Sequence, residues 1–225
     1  MVANHLKKFL AASVPNSQSA FLSGRLITDN ILVAFETLHY LKRTTQGKLG
    51  YMALKLDMSK AYDRVKWSFL EKVMQHLGLE VRMVKIIMSC VQTVSYAILL
   101  NGQPMGNIKP SRGLKQGDPL SLYLFLLYAM GLQSLIHQAE VDGSIRGVAI
   151  CRNGPQVSHL FFAFDSVLFC RATKNECQKV LDILEVYERG SGQKNNKEKT
   201  NIFFSSNTAH LIQSRIQHLL GVLAV

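Results

Sequence analysis

The stretch HLFFAFDSVLF, residues 159–169, decides the fold: an apolar run ends at a single carboxylate, Asp165, and the chain leaves through Ser166 into Val-Leu-Phe. Two apolar runs meeting at a polar step predict a β-hairpin with the acid at its tip. Two earlier segments carry the same logic. In KLDMSKAYDRVKW (55–67) another apolar strand ends on Asp57, and RGLKQGDPLS (112–121) is a basic, glycine-bearing loop that opens a long apolar helix. Acidic strands joined by hairpins, with helices between them, imply an antiparallel sheet backed by helices, an α+β fold.

Around these segments, apolar periodicity and turn residues predict helices over 4–12, 27–43, 67–76, 81–93, 174–189 and 209–220, and one from the 112–121 loop to about residue 138. Strands are predicted over 51–58, 146–150, 157–164, 167–170 and 200–205, with a hairpin starting at 95–102 and returning through 105–108. NSQSAFLSGR (16–25) reads as a loop, and Asn153-Gly154 as a turn. No repeat, low-complexity tract or linker interrupts the chain.

With 225 residues, 48% of them hydrophobic, there is material for one domain with a real core. A formal charge of +11 favours polyanionic partners. Residues 1–110 carry fourteen Lys and Arg against six Asp and Glu, and the rest twelve against nine, so the basic surface is weighted to the first half. Cys90, Cys151, Cys170 and Cys177 form no CxxC pair and have no histidines at zinc spacing, which fits reduced thiols and an intracellular site, nucleus or cytoplasm. LYLFLLYAMGL (122–132) is shorter than a membrane span and reads as a buried helix, and Pro15 follows the first apolar run too soon for a signal peptide. His159 reads as packing beside the hairpin.

Together and in this order, the segments around Asp57, Gln116 and Asp165 resemble the A, B and C motifs of the reverse-transcriptase palm. QSAFLSGRLITDNILVAFETLH (18–39), KAYDRV, HLFFA and SGQKNNKEKT (191–200) are similar to the plant lineage of LINE-type, non-LTR retrotransposon reverse transcriptases, over nearly the whole chain. The resemblance implies a palm over about 51–205, partial fingers over about 1–50 and the start of a thumb connection over about 206–225. ANHLK (3–7) matches a family segment that follows a triphosphate-gripping strand, so Met1 is expected to start inside the fingers. It also implies an RNA template, a DNA primer, deoxynucleotides, and two Mg2+ ions clamping the attacking and leaving oxygens.

Carried over residue by residue, Asp57 and Asp165 are the expected metal-binding catalytic carboxylates. Tyr62 matches the aromatic gate against a ribose 2′-hydroxyl; a core tyrosine is the alternative. Gln116 and Gly117 match the loop that meets the nucleotide and template base. Lys199 matches a lysine facing the leaving pyrophosphate, with a solvated lysine equally open. Arg25, Lys60 and Lys115 are candidates for nucleic-acid contact, and Arg25 has a second reading as a helix-flanking arginine bonded to carbonyls. Asp63 lacks the glycine and glutamate of a calcium loop and reads as a hydrogen-bonder in its turn.

The chain departs from the family at several points. Residues 162–165 read Phe-Ala-Phe-Asp where the family has Phe-Ala-Asp-Asp, so Phe164 stands in the place of the first paired aspartate and offers no ligand atom. His5 replaces an arginine, Asn195 an apolar strand residue, and Leu122 a proline whose loss is expected to loosen the loop-to-helix junction. The pattern implies weakened Mg2+ binding and an impaired polymerase. A non-catalytic nucleic-acid-binding module, or an active polymerase using the remaining carboxylates, are the alternatives.

Overall fold

The computed structural model describes residues 2–152, 154–162 and 165–224. Phe164, and Asn153 of the expected turn, lie outside the described residues. The central strand is β1 (Tyr51–Leu56), whose sequence YMALKL is buried at every position except its first and Lys55. A strand buried on both faces needs cover on both, and the helices supply it.

Five strands form the main sheet. In chain order they are β1, then, after helices α3 (Trp67–His76) and α4 (Val81–Gln92), the separate hairpin β2 (Tyr96–Leu100) and β3 (Gln103–Ile108), helix α5 (Pro119–Val141) and the short pair β4 (Val148–Ala149) and β5 (Gln156–Val157), the strands β6 (His159–Phe162) and β7 (Asp165–Arg171). Helix α6 (Lys174–Ser191), β8 (Asn201–Phe204), helix α7 (His210–Leu220) and β9 (Leu223–Ala224) complete the chain, and α1 (Val2–Ser13) and α2 (Ile27–Arg43) precede β1. The sheet order is β6-β7-β1-β8-β9. Its pairs are antiparallel except β8 with β9, which run parallel across α7. Sequence patterning missed that crossover because β9 is two residues long, too short for any periodicity to show.

Alternation along the strands divides the core. Met52, Leu54, Leu56, Leu168, Cys170 and Ile202 face a large cluster fed by α1, α3, α4, α5, α6 and α7. Ala53, Leu160 and Phe169 face the other way, against Leu41 and Leu38 of α2. Leu54 is 1% exposed, so Leu54→Ala removes packing from the middle of the larger core, a loss of about 2–5 kcal/mol.

Helix α5 is 23 residues long and apolar enough to cross a membrane by length and composition, longer than the apolar run 122–132 predicts. Its length comes from extending past the apolar run to Val141, and Leu124, Phe125, Leu127, Tyr128 and Ile136 are buried in the larger core. The helix start is well made. Asp118 is its N-cap, accepting from Leu120 N at 2.9 Å, with Pro119 in the first turn. Leu122, expected to loosen this junction, has its own N–H donating to Asp118 O at 3.4 Å.

Candidate active site

Strand β1 pairs with β7 in a register that sets Leu56 opposite Ser166. Continuing that register by one residue puts Asp57, just past the end of β1, across from Asp165, the first residue of β7. Directly opposite residues point to the same face of a sheet with Cβ atoms about 5 Å apart. The carboxylates predicted from separate motifs therefore belong to adjacent strand ends, Asp57 half-buried and Asp165 exposed. Among the described residues no group of three or more His, Cys, Asp or Glu is arranged to hold a metal ion.

The loop after Asp57 is stitched on both sides. On one side, Asn196 N donates to Asp57 O at 2.8 Å, Ser59 N to Lys194 O at 2.9 Å, and the Gln193 side-chain amide to Ala61 O at 2.7 Å. On the other, Gly113 N donates to Val65 O at 2.8 Å, Leu114 N to Tyr62 O at 3.0 Å, and the Trp67 indole to Gly113 O at 2.7 Å. Three motifs far apart in sequence therefore share one backbone network. Gly113 permits the contact: at φ +91° a Cβ there would lie 3.1 Å from Asp63 O.

Tyr62 is half-buried, its ring 5.2 Å from that of Phe125 on α5, and burial raises its phenol pKa. Gln116 and Gly117 are exposed on the loop that follows Leu114, and Gly117 takes φ +85° with open space where a Cβ would stand. Lys60 and Lys115 are exposed, Lys60 in a left-handed turn at φ +50°. Lys199 is exposed in the 195–200 turn, its N–H donating to Asn196 O at 3.1 Å, which ties it to the segment that bonds Asp57.

Arg25 takes the second of its two sequence readings. Its guanidinium donates to Pro15 O and Gln18 O at 2.7 and 2.8 Å and to Val14 O at 2.7 Å, closing the loop between α1 and α2. A side chain held by three carbonyls is a corrected assignment for a nucleic-acid contact, since its donors serve the fold. Asp63 is exposed, and its backbone, against which Gly113 packs, is what shapes the turn. Asn195 has partners at its half-buried place: its N–H donates to Glu188 Oε1 at 2.6 Å and its side-chain oxygen accepts from Thr200 at 2.8 Å.

Behind the acidic hairpin lies a buried polar group that sequence reading placed only roughly. His159 Nε2 is 3.1 Å from Ser17 Oγ and its Nδ1 is 2.7 Å from Ser158 Oγ. Asn30 on α2 donates to Ser17 O at 2.8 Å and to Phe161 O at 3.3 Å. Burial lowers the His159 pKa, opposed by Glu140 3.9 Å away and reinforced by His137. Gln193 and Tyr128 were not singled out either. The Tyr128 hydroxyl donates to Ser191 O, and burial pushes its pKa up to about 12. A tyrosine inside an apolar helical run gives no sequence signal for such a bond.

Residues 1–223 match the family model described as reverse transcriptase (RNA-dependent DNA polymerase). The chain belongs to the reverse transcriptase family. It is 46% identical over 68 residues, 30% of this chain and 56% of the relative, to an uncharacterized mitochondrial protein, AtMg01250, of Arabidopsis thaliana. It is 24% identical over 200 residues, 88% of this chain and 14% of the relative, to an uncharacterized 149 kDa protein of transposon TX1 from Xenopus laevis. Against the Pol polyprotein of the type-1 retrotransposable element R2 of Popillia japonica it is 30% identical over 131 residues, 58% of this chain and 20% of that protein. These relatives make it a reverse transcriptase domain of the non-LTR, LINE type, and the Arabidopsis match fits the plant side of that group. The chain spans about half or less of the length of each.

Telomerase of Candida tropicalis bound to a TWJ fragment of telomeric RNA superposes with a TM-score of 0.64 at 15% identity, over 92% of this chain and 34% of that one. A truncated apo form from the same organism gives 0.61 at 18% identity, over 92% of this chain and 41% of that one. At such identity the likeness establishes the α+β palm fold. Divalent metal and nucleic-acid templates belong to reverse transcriptases as a family.

Proposed function

We propose that this domain keeps the framework for RNA-directed DNA synthesis and is impaired in the chemical step. What supports the reading is the antiparallel pairing of β1 with β7, whose last pair, Leu56 with Ser166, lies one residue short of both Asp57 and Asp165, while Phe stands at 164 where the family has a second aspartate. Two carboxylates on adjacent strand ends are hard oxygen donors and fit Mg2+, with fewer oxygens than two ions together require. When bound there, the divalent ions would clamp the attacking primer oxygen and the leaving phosphate oxygen of an in-line displacement.

The remaining roles belong to the chain's own groups. Tyr62, propped on Phe125, would lie under the sugar of an incoming deoxynucleotide and exclude a 2′-hydroxyl. Gly117 leaves room for the base pair to approach the backbone, with Gln116 beside it. Lys60 and Lys115 would neutralise template and primer phosphates, and Lys199 the leaving pyrophosphate. Phe164 supplies none of the missing oxygens.

Primer extension on an RNA template by the purified chain tests this, with incorporation expected at background in Mg2+ or Mn2+. Template-dependent incorporation that disappears in Asp57→Asn would refute the impairment and favour a working polymerase built on the two remaining carboxylates. A second readout is independent of activity. Phe164→Asp should raise Mn2+ affinity by at least about tenfold in titration calorimetry, and unchanged affinity would show that residue 164 does not face the metal.

A further inference from the structure

At the other end of the sheet, about 20 Å along β1 from Asp57, the chain builds a second concave site. Ala172 N donates to Gly50 O at 2.8 Å there, closing the β7-to-α6 turn against the entry to β1. Helix α7 crosses this turn and leaves a cavity of about 730 Å³. Leu49, Ala172, Ile212, Ile216 and Leu219 give it an aliphatic lining, and Lys48, Lys174, Arg215 and His218 stand around it. No carboxylate lines it, and none of the four basic residues is ion-paired among the described residues. The first turn of α6, capped by Thr173 and carrying the buried Glu176, forms part of the same wall.

A pocket of this size with an apolar floor and few polar groups suits an organic ligand. Unopposed cations select an anionic one. No Phe, Tyr or Trp lines it and His218 is its one aromatic ring, against the succession of rings on which single-stranded nucleic acid is held. The aliphatic floor is open to solvent, with Leu49 and Ile212 of the lining exposed at 48% and 40%, and Leu211 beside Ile212 on α7 at 63%, an open face of the kind across which an amphipathic peptide segment lies. We propose that this cavity docks an acidic peptide segment of a partner protein, with aliphatic side chains seated between Leu49 and Ile212 and carboxylates on Lys48, Lys174 and Arg215. The site is separate from the Asp57–Asp165 pair and does not depend on polymerase activity.

The test uses the whole chain and a fluorescein-labelled peptide with two leucines one helical turn apart and glutamates around them, read by anisotropy. Saturable binding is expected, weakened by at least about tenfold in Arg215→Glu and in Ile212→Glu, and equally when serines replace the peptide leucines. Both substituted residues are exposed, and urea unfolding checks each variant; Arg215→Glu alone suffices if Ile212→Glu fails to fold. Undiminished binding in Arg215→Glu overturns the proposal, as does equal affinity for the serine peptide, which would mean plain attraction to cations. Displacement of the peptide by an RNA oligonucleotide whose own binding falls in the same variants overturns it in favour of a nucleic-acid surface. No saturable binding of the leucine-glutamate peptide overturns it as well.

Discussion

Replacing Gly113 with alanine tests whether the motif loops are joined as described, and Gly117→Ala is its control. Both glycines hold left-handed backbone, φ +91° and +85°, so each substitution carries a similar conformational penalty, about 1–2 kcal/mol. Their surroundings differ. A Cβ at Gly117 meets nothing within 4 Å, whereas at Gly113 it meets Asp63 O at 3.1 Å, Cα at 3.3 Å and C at 3.4 Å, all backbone. Relief requires the two loops to part, straining Gly113 N to Val65 O, Leu114 N to Tyr62 O and the Trp67 indole to Gly113 O. Partial loss of these bonds adds about 1–2 kcal/mol, giving about 2–4 kcal/mol for Gly113→Ala. With a urea dependence of about 2–3 kcal/mol/M, the midpoint should fall by about 1 M, and by about half of that for Gly117→Ala. Equal midpoints for the two variants would refute the crowding and, with it, the close seam between the loops.

Arg25→Ala should destabilise the chain by about 2–3 kcal/mol through its three carbonyl bonds while leaving the salt dependence of RNA binding unchanged. Lys60→Gln with Lys115→Gln should lower the log–log salt slope by about 1–2, whereas Lys8→Gln with Lys42→Gln should not; equal effects would remove the groove as an explanation. His159 is buried with its pKa lowered, so the unfolded chain takes up the proton first as pH falls through its unfolded value of about 6.5. Stability should therefore be full above that pH and decline below it, and His159→Gln should flatten the decline in urea midpoints measured between about pH 7.5 and 5.5. Burial raises the Cys170 thiol well above its usual range and Cys177 to about 11, so only Cys90 and Cys151 should react with a disulfide reagent before urea is added. Rapid native reaction of Cys170 would contradict its burial.

Sequence alone determined the helices and the long strands, because their periodicity is local: the predicted 27–43 and 67–76 ranges coincide with α2 and α3. It also supplied the chemistry of the motifs, since Asp57, Gln116 and Asp165 sit in strings specific enough to be recognised, and the anomaly at Phe164 is a property of the string itself. What it left open was partnership. Whether Arg25 reaches a phosphate or three carbonyls depends on where a loop closes, and whether Asn195 is stranded or satisfied depends on Glu188 and Thr200 arriving beside it. The seam that holds the loop after Asp57 between residues 191–196 and 112–115 joins positions more than a hundred residues apart in one case, and main-chain bonds leave no mark on residue type. The same holds for the cavity behind α7. Lys48, Lys174 and Arg215 are unremarkable surface cations in the sequence, and only the packing of α7 across the β7-to-α6 turn sets them around one aliphatic floor.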